Sequence, residues 1–197
     1  MNERDYTRKF YNSIAHQSFI DWFNNETLLP TLSRFINQLP EKPTVLDLGC
    51  GTGGESKRLY SLGANVIGID FSQESLKYAR ENVPNVEFIN MDIIDMDFPS
   101  SVFDGIIEAG VLFHFKKEEQ QQILGKIITI LKPNGIFLSY YPEGEYEGLQ
   151  EMNNIDKRYA RQLPINVWIE QVMEFGYREN CMYEFNLGSF KCIEFRK

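Results

Sequence analysis

Short apolar runs alternate with amphipathic stretches through the middle of the chain, from residue 43 to residue 140. Each apolar run is compact enough to form a strand buried between two layers of helices. The predicted strands are Thr44–Leu48, Asn65–Ile69, Val86–Asn90, Val102–Glu108 and Ile136–Tyr140. Strands that alternate with helices are typical of βαβ units, so the pattern predicts a parallel sheet.

The stretches between these strands carry apolar residues at helical spacing. They predict helices over residues 55–62, 73–82 and 116–131, with Ser72 as the N-cap of the second. The third helix should stop at residues 132–135, Lys-Pro-Asn-Gly, because proline blocks continuation and Asn or Gly tolerates a left-handed turn. All three helices are interpreted as crossovers between parallel strands.

Both ends of the chain add elements to this core. After a predicted helix at 165–175, the strands Tyr177–Asn186 and Phe190–Arg196 are interpreted as a hairpin joined through residues 187–189, which makes the last strand antiparallel. Residues 16–39 have helical spacing interrupted by Pro30, so one or two helices should precede the sheet. Residues 142–164 exceed the usual length of such connections, and we expect a lid-like loop there.

Composition and charge narrow the possible functions. The chain has 197 residues, 43% of them hydrophobic, which suits one domain over residues 1–197. Its net charge of -8 disfavours a nucleic-acid partner, and its three cysteines suggest no disulfide framework. The first twelve residues are polar and no window reaches the roughly 18 apolar residues of a membrane span, so we expect a cytoplasmic protein without a membrane partner.

The most informative stretch is residues 45–54, where a predicted strand runs into closely spaced glycines and then into a predicted helix. Glycines let the backbone turn tightly, so that a nucleotide-like cofactor can lie against bare peptide. About twenty residues later Asp70 ends the second strand, where a carboxylate can accept hydrogen bonds from both hydroxyls of a ribose. Together these features predict a cofactor that contains adenosine.

The glycines alone leave the cofactor open. Gly49, Gly51 and Gly54 match the dinucleotide fingerprint, whereas Gly49, Gly51 and Gly53 give the tighter G-x-G-x-G form. Asp47 lies inside the strand, where a dinucleotide enzyme normally has an apolar residue. A carboxylate there can reach an ammonium group, which S-adenosylmethionine (SAM) carries, so SAM is favoured and NAD stays the alternative.

Five segments in combination resemble class I SAM-dependent methyltransferases, and more closely the small-molecule branch of that family. They are DLGCGTG at 47–53, GID at 68–70, NMD at 90–92, FDGIIEAGVLFHF at 103–115 and LKPNG at 131–135. The resemblance covers roughly residues 40–197. It implies an α/β Rossmann-like sandwich: a seven-stranded, mostly parallel sheet in the order 3-2-1-4-5-7-6, the last strand antiparallel, with helices on both faces. Residues 41–197 would form this core and residues 1–40 an N-terminal helical cap.

The resemblance also assigns cofactor-binding roles by position. Asp47, Gly49 and Gly51 would bound the methionine end of SAM, with Asp47 near its amino group. Asp70 would hold the ribose, and Phe71 would pack against the adenine.

Further cofactor residues follow later in the chain and in the cap. Asp92 matches the carboxylate that accepts from the adenine amino group, and Ile93 would contribute a backbone amide. Glu108 and Ala109, at the end of the fourth strand, would lie under the sulfonium. Because an N-terminal helix folds over the cofactor in this family, Tyr11 and Trp22 are candidates for closing the site.

The chemistry of the acceptor side is less constrained. His114, Tyr141 and Glu143 are candidate catalytic groups that could help an amine acceptor lose its proton. Glutamates between residues 143 and 151 suggest a cationic or amine acceptor as one hypothesis. The proline-rich tetrapeptide of nucleic-acid and amide methylating relatives is missing after the fourth strand, which puts methylation of bases or glutamine in doubt.

The resulting interpretation is a SAM-dependent methyltransferase that acts on an unidentified small-molecule acceptor and needs no metal. An NAD-dependent oxidoreductase is the rival enzyme, and a SAM-binding protein without catalysis is the rival from another class. We expect a monomer or a homodimer.

Overall fold

A seven-stranded sheet organises the computed structural model, which describes residues 1–152, 156–183 and 189–197. A separate two-stranded hairpin lies beside this sheet. In chain order the strands are β1 (Thr44–Leu48), β2 (Asn65–Asp70), β3 (Glu87–Asn90), β4 (Phe103–Ala109), β5 (Leu131–Pro142), β6 (Tyr146–Met152), β7 (Asp156–Gln162), β8 (Glu179–Tyr183) and β9 (Phe190–Arg196).

The sheet has the order β3-β2-β1-β4-β5-β9-β8. Strands β1 to β5 pair in parallel, while β9 pairs antiparallel with both β5 and β8. Because β6 and β7 stand outside this sheet, β8 and β9 are its sixth and seventh strands, and the predicted order is confirmed. Residues 184–186 of the predicted strand and residues 187–188 of its turn lie outside the described residues.

Seven α-helices accompany these strands in the described part of the chain. They are α1 (Glu3–Ser13), α2 (Ala15–Trp22), α3 (Leu29–Asn37), α4 (Gly54–Ser61), α5 (Gln73–Asn82), α6 (Lys117–Ile130) and α7 (Ile165–Met173). The N-cap of α5 is Ser72, whose hydroxyl accepts the backbone N–H of Ser75 at 3.1 Å. Asn134 takes the left-handed conformation after α6, with φ of 65°.

The N-terminal segment forms three helices rather than the one or two that the sequence predicted. Pro30 lies in the first turn of α3. Proline has no N–H to donate, and a first-turn N–H has no helical acceptor, so Pro30 begins this helix instead of interrupting one.

Alternate residues of the central strands enter two apolar layers, one on each face of the sheet. Leu46, Ile106 and Phe137 pack with α6 and α7, whereas Val45 and Ile107 pack with α3, α4 and α5. Side chains of a strand point alternately to opposite faces, so each strand supplies both layers. This leaves the ends of the strands free to present polar groups.

Residues 142–164 contain the hairpin of β6 and β7, not the lid-like loop that we expected. A buried polar network anchors this hairpin to the core. The Tyr141 hydroxyl donates to the backbone carbonyl of Arg161 at 2.5 Å. The Arg161 side chain is itself buried and donates to Gln120 and Gln171. The hairpin is therefore fixed relative to β5, α6 and α7.

Replacing Phe35 with alanine should lower the free energy of unfolding by about 3–5 kcal/mol, because the change opens a cavity between α3 and the sheet. Phe35 is 0% exposed, whereas Tyr60, the control, is 43% exposed. Urea denaturation of both variants tests this. Tyr60→Ala should stay within about 0.5 kcal/mol of the unsubstituted chain, and equal losses in the two variants would contradict the packing described here.

Candidate active site

A cavity of about 870 Å³ lies at the carboxyl ends of β1, β2 and β4, under α1, α2 and the hairpin. Parallel strands bring the loops that follow them to one edge, and ligands of such sheets bind at that edge. Two parts of the wall differ in chemistry. The carboxylate end consists of residues 49–51 with Asp47, Glu55 and Asp70; the aromatic end consists of Phe113, His114, Tyr140, Arg158 and Phe190.

The turn after β1 is held against the end of β2. The N–H groups of Gly49 and Cys50 donate to the carbonyl of Ile69 at 2.8 and 3.0 Å. Gly49 has φ of 68°, and a Cβ atom there would lie 2.7 Å from Cγ2 of Val111. Only glycine accepts both the conformation and this close approach.

Asp70 ties the turn after β1 to the start of α5. Its Oδ2 accepts the N–H of Gly51 at 2.9 Å, and its Oδ1 accepts the N–H of Ser72 at 2.7 Å. Burial raises the pKa of Asp70 to about 6, although these two hydrogen bonds favour the ionised form. Each carboxylate oxygen keeps a further lone pair, so Asp70 can still accept hydrogen bonds from ligand hydroxyls.

Asp47 lies deeper, at the end of β1, and is 1% exposed. The hydroxyl of Ser56 donates to its Oδ2 at 2.6 Å. Burial and the nearby negative charge of Glu55 raise the pKa of Asp47 to about 7. Burying carboxylates side by side is costly unless a cation pairs with them, so this end of the cavity suits a positively charged ligand.

Asp92 binds two arginines of α1 and so holds this helix over the carboxylate end of the cavity. Its Oδ2 accepts from Arg4 at 2.5 Å and also from Arg8, while its Oδ1 accepts the N–H of Ile94 at 3.2 Å. Burial opposes ionisation, but the hydrogen bonds from Arg8 and Ile94 and the charge of Arg4 hold the pKa of Asp92 below its usual value. The Arg8 guanidinium also lies 6.0 Å from the ring centroid of Phe71.

Tyr11 of α1 connects the two ends of the cavity. Its ring centroid lies 6.4 Å from that of Phe71, and its hydroxyl lies 2.6 Å from Nε2 of His114. Nδ1 of His114 lies 2.7 Å from the carbonyl of Tyr159, which can only accept, so Nδ1 carries the proton and Nε2 accepts from Tyr11. Burial and the charge of Arg158 lower the pKa of His114 to about 3. His114 is therefore a neutral hydrogen-bond acceptor that orients Tyr11.

The cavity wall contains most of the residues that the sequence proposed. Asp47, Gly49, Gly51, Asp70, Phe71, Asp92, Ile93, Ala109, Tyr11, Trp22 and His114 all line it. Trp22 stands at its edge and is 63% exposed.

Glu108, Tyr141 and Glu143 are not part of this wall, and their positions argue against the roles predicted for them. Glu108 turns into the core, where it accepts from Ser139 at 2.5 Å and from the N–H groups of Val111 and Leu112. Tyr141 is 0% exposed, and burial raises the pKa of its hydroxyl, which disfavours a role as a base. The Glu143 carboxylate lies 3.7 Å from Lys191.

Three arginines of the cavity wall were not predicted from the sequence: Arg4, Arg8 and Arg158. Arg4 and Arg8 lie four apart on one face of α1, a spacing that could have indicated a common target. Arg158 was not predicted because residues 142–164 were expected to form a loop and not a strand. In β7 the neighbouring Lys157 is exposed, while Arg158 reaches the cavity.

Comparisons with known proteins agree with this geometry. A family model described as "Methyltransferase domain" matches residues 40–185. The 2-methyl-6-phytyl-1,4-hydroquinone methyltransferase of Synechocystis sp. is 32% identical over 144 residues, which are 70% of this chain and 40% of that protein. The chain spans less than half the length of the curated relatives that it matches.

Solved structures share the fold over nearly the whole chain. The 1,6-didemethyltoxoflavin-N1-methyltransferase of Burkholderia thailandensis, solved with 1,6-didemethyltoxoflavin and S-adenosylhomocysteine, has a TM-score of 0.76 and 20% identity, covering 100% of this chain and 91% of that one. The DhpI complex with S-adenosylhomocysteine has a TM-score of 0.80 and 18% identity, covering 98% and 96%.

Fold and cavity thus define an α/β protein with a ligand-sized cavity at the carboxyl edge of its sheet. Within that class, the chain belongs to the methyltransferase family, since the family model covers most of its length. The resemblance to class I methyltransferases seen in the sequence is confirmed.

Replacing Glu108 with glutamine should remove part of the pH dependence of stability. Burial raises the pKa of Glu108 from 4.5 to about 7, so the folded state binds the extra proton between these values. The contribution of Glu108 to stability is therefore fully present below pH 4.5 and is lost as the pH rises through 7. The amide of the substituted side chain can still accept from both N–H groups and donate to Ser139.

The measurement is the free energy of unfolding from urea titrations at pH 5 and pH 8. Between pH 5 and pH 8 the free energy of unfolding of Glu108→Gln should rise by on the order of 2 kcal/mol relative to that of the unsubstituted chain. Parallel profiles for the two proteins would contradict the raised pKa of the buried carboxyl group.

Proposed function

We propose that this chain is an enzyme that transfers a methyl group from SAM to a small-molecule acceptor. The observation that carries the proposal is the pair of buried carboxylates, Asp47 and Asp70, on either side of the glycine turn. SAM brings an ammonium group, a ribose and a sulfonium, and the carboxylate end offers charges and acceptors that match them. Membership of the methyltransferase family supports the same interpretation.

Different residues at the carboxylate end would bind different parts of the cofactor. Asp47 would pair with the ammonium group, and Gly49 and Gly51 would let the methionine part lie against the backbone. Asp70 would accept from the ribose hydroxyls, and Phe71 would pack against the adenine. When bound, SAM supplies a sulfonium methyl group that a lone pair of the acceptor attacks, while the C–S bond breaks and sulfur keeps the bonding electrons.

The role predicted for Asp92, accepting a hydrogen bond from the adenine amino group, needs one adjustment. Both oxygens of Asp92 already accept hydrogen bonds, from Arg4 and Arg8 on one side and from Ile94 on the other. The one lone pair that remains, on Oδ1, can accept from an adenine amino group. Asp92 would then connect the cofactor to α1, with Ile93 beside the ring.

The remaining residues align the reactants and exclude water, which are the main contributions a protein makes to displacement at a sulfonium. Helix α1 and the hairpin both cover the cavity, and ion pairs with Asp92 hold α1 in place. His114 would act by orienting Tyr11 instead of removing a proton, since its pKa of about 3 makes it a weak base.

Several finer predictions belong with this proposal. Relatives named for a hydroquinone and for 1,6-didemethyltoxoflavin support a small-molecule acceptor here. Among the described residues, none of the helices is both long and apolar enough to cross a bilayer. A cytoplasmic location and a monomeric or homodimeric state stay predictions.

The two rivals make different demands on the cavity. NAD would place a pyrophosphate beside the glycine turn, where Asp47, Glu55 and Asp70 already concentrate negative charge. A SAM-binding protein without catalysis would use the carboxylate end and leave the aromatic end without a ligand.

Replacing Asp70 with alanine should weaken binding of S-adenosylhomocysteine by about tenfold or more, because hydrogen bonds to a charged acceptor are lost. Asp97→Ala is the control, since Asp97 is an exposed aspartate that is not part of the cavity wall. Isothermal titration calorimetry measures both variants and tests NAD on the unsubstituted chain. Tight binding of NAD, or unchanged affinity for S-adenosylhomocysteine in Asp70→Ala, would refute the proposal.

Affinity for S-adenosylhomocysteine should rise about tenfold between pH 6 and pH 8. With a pKa of about 7, Asp47 must lose its proton before it can pair with the ligand ammonium group, and this costs affinity below pH 7. Asp47→Asn should bind more weakly at pH 8 with a much flatter pH profile. The same slope in both proteins would show that another group titrates.

A further inference from the structure

The aromatic end of the cavity holds a positive charge that the described residues do not neutralise. Three arginines line the whole cavity, and two of them, Arg4 and Arg8, pair with Asp92. For the third, Arg158, no Asp or Glu carboxylate of the described ranges lies within 4.0 Å of its guanidinium. The two ends of the cavity therefore carry opposite charge.

Arg158 is held in place by neutral groups. Its Nη1 donates to the Tyr11 hydroxyl at 2.9 Å, and its Nε and Nη2 lie 3.4 and 3.3 Å from Oε1 of Gln150. The guanidinium carbon lies 5.8 Å from the ring centroid of Phe10 and 5.4 Å from that of Phe113. A guanidinium has five N–H donors in a rigid fork, so this arrangement orients the group and leaves donors for a ligand.

The acidic residues around the hairpin do not offset this charge. Glu147 approaches Tyr159 and Arg161, and Glu151 pairs with Lys157. Asp156 pairs with Lys9 of α1. None of these carboxylates lines the cavity. The glutamates that suggested a cationic or amine acceptor thus lie outside the site, and an arginine lies inside it.

Aromatic rings continue along the cavity wall from Phe113, which lies beside Arg158. Phe190 stacks on Tyr140 with ring centroids 4.6 Å apart, and Phe113 lies 6.3 Å from Phe190. Flat apolar walls beside an oriented guanidinium suit a planar molecule that carries a delocalised oxygen anion, such as a carboxylate.

We propose that Arg158 binds an anionic oxygen group of the methyl acceptor, so that the enzyme selects planar acids over amines. This inference rests on the proposed function, because it concerns the second ligand of the same cavity. It assigns Arg158 as a residue that determines acceptor specificity.

The test uses benzoate, benzamide and benzamidine, three probes of nearly equal shape that are anionic, neutral and cationic. Ligand-observed NMR titrations measure their affinities for the chain saturated with S-adenosylhomocysteine. We expect benzoate to bind at least about tenfold more tightly than benzamidine. Arg158→Gln should abolish this preference, and Arg158→Lys should retain part of it, because lysine keeps the charge but loses the fork.

The matched control is Lys157→Gln, which removes a positive charge from the adjacent, exposed position of β7 and should leave the preference unchanged. Affinity for S-adenosylhomocysteine, measured first on every variant, separates the two proposals: its absence in the unsubstituted chain refutes the cofactor assignment. With that affinity intact, three results would overturn the role of Arg158. These are equal or tighter binding of benzamidine, a benzoate preference that survives in Arg158→Gln, and no benzoate binding up to about 10 mM.

Discussion

The reversal of strand order beside β1 is the constraint on which the rest of this structure depends. Strands β2 and β4 lie on either side of β1, so the chain leaves β1 in one direction and later returns on its other side. The loops that follow these strands diverge and leave a crevice at the carboxyl edge of the sheet. Asp47, Asp70 and Asp92 reach that crevice because β1, β2 and β3 end there.

Electrostatics then divides the crevice. Burial raises the pKa of Asp47 and of Asp70 well above that of an exposed aspartate, and no Lys or Arg among the described residues forms an ion pair with either carboxylate. Burial also raises the pKa of Glu108, but this carboxylate accepts hydrogen bonds from Ser139, Val111 and Leu112 that shape the turn after β4. The first two carboxylates can be stabilised by a cationic ligand, whereas Glu108 serves the scaffold. Similar pKa shifts therefore accompany different roles, and position distinguishes them.

The roof of the cavity comes from two parts of the chain that are far apart in sequence. Helix α1 is latched to Asp92, and Tyr11 on the same helix contacts His114 after β4 and Arg158 on β7. The hairpin that carries Arg158 is anchored through Tyr141 and Arg161 to the core. Cofactor and acceptor would thus both be covered by α1 and the hairpin, which contact each other through Tyr11 and Arg158. A movement of α1 over the cofactor would therefore also shift the residues around the acceptor.

The sequence by itself determined the parallel core and the carboxylates Asp47 and Asp70, because strand period, glycine spacing and strand-terminal residues are local patterns. The order of the seven strands followed from the resemblance to a known family. The sequence did not determine that residues 142–164 form a hairpin, that Glu108 and Tyr141 face away from the cavity, or that Arg158 enters it. Those features depend on contacts between residues that are far apart in sequence, from 20 residues for Tyr141 and Arg161 to 147 residues for Tyr11 and Arg158. Only the tertiary structure decides such contacts, since the free energy of burying or pairing a side chain is set by its neighbours in space.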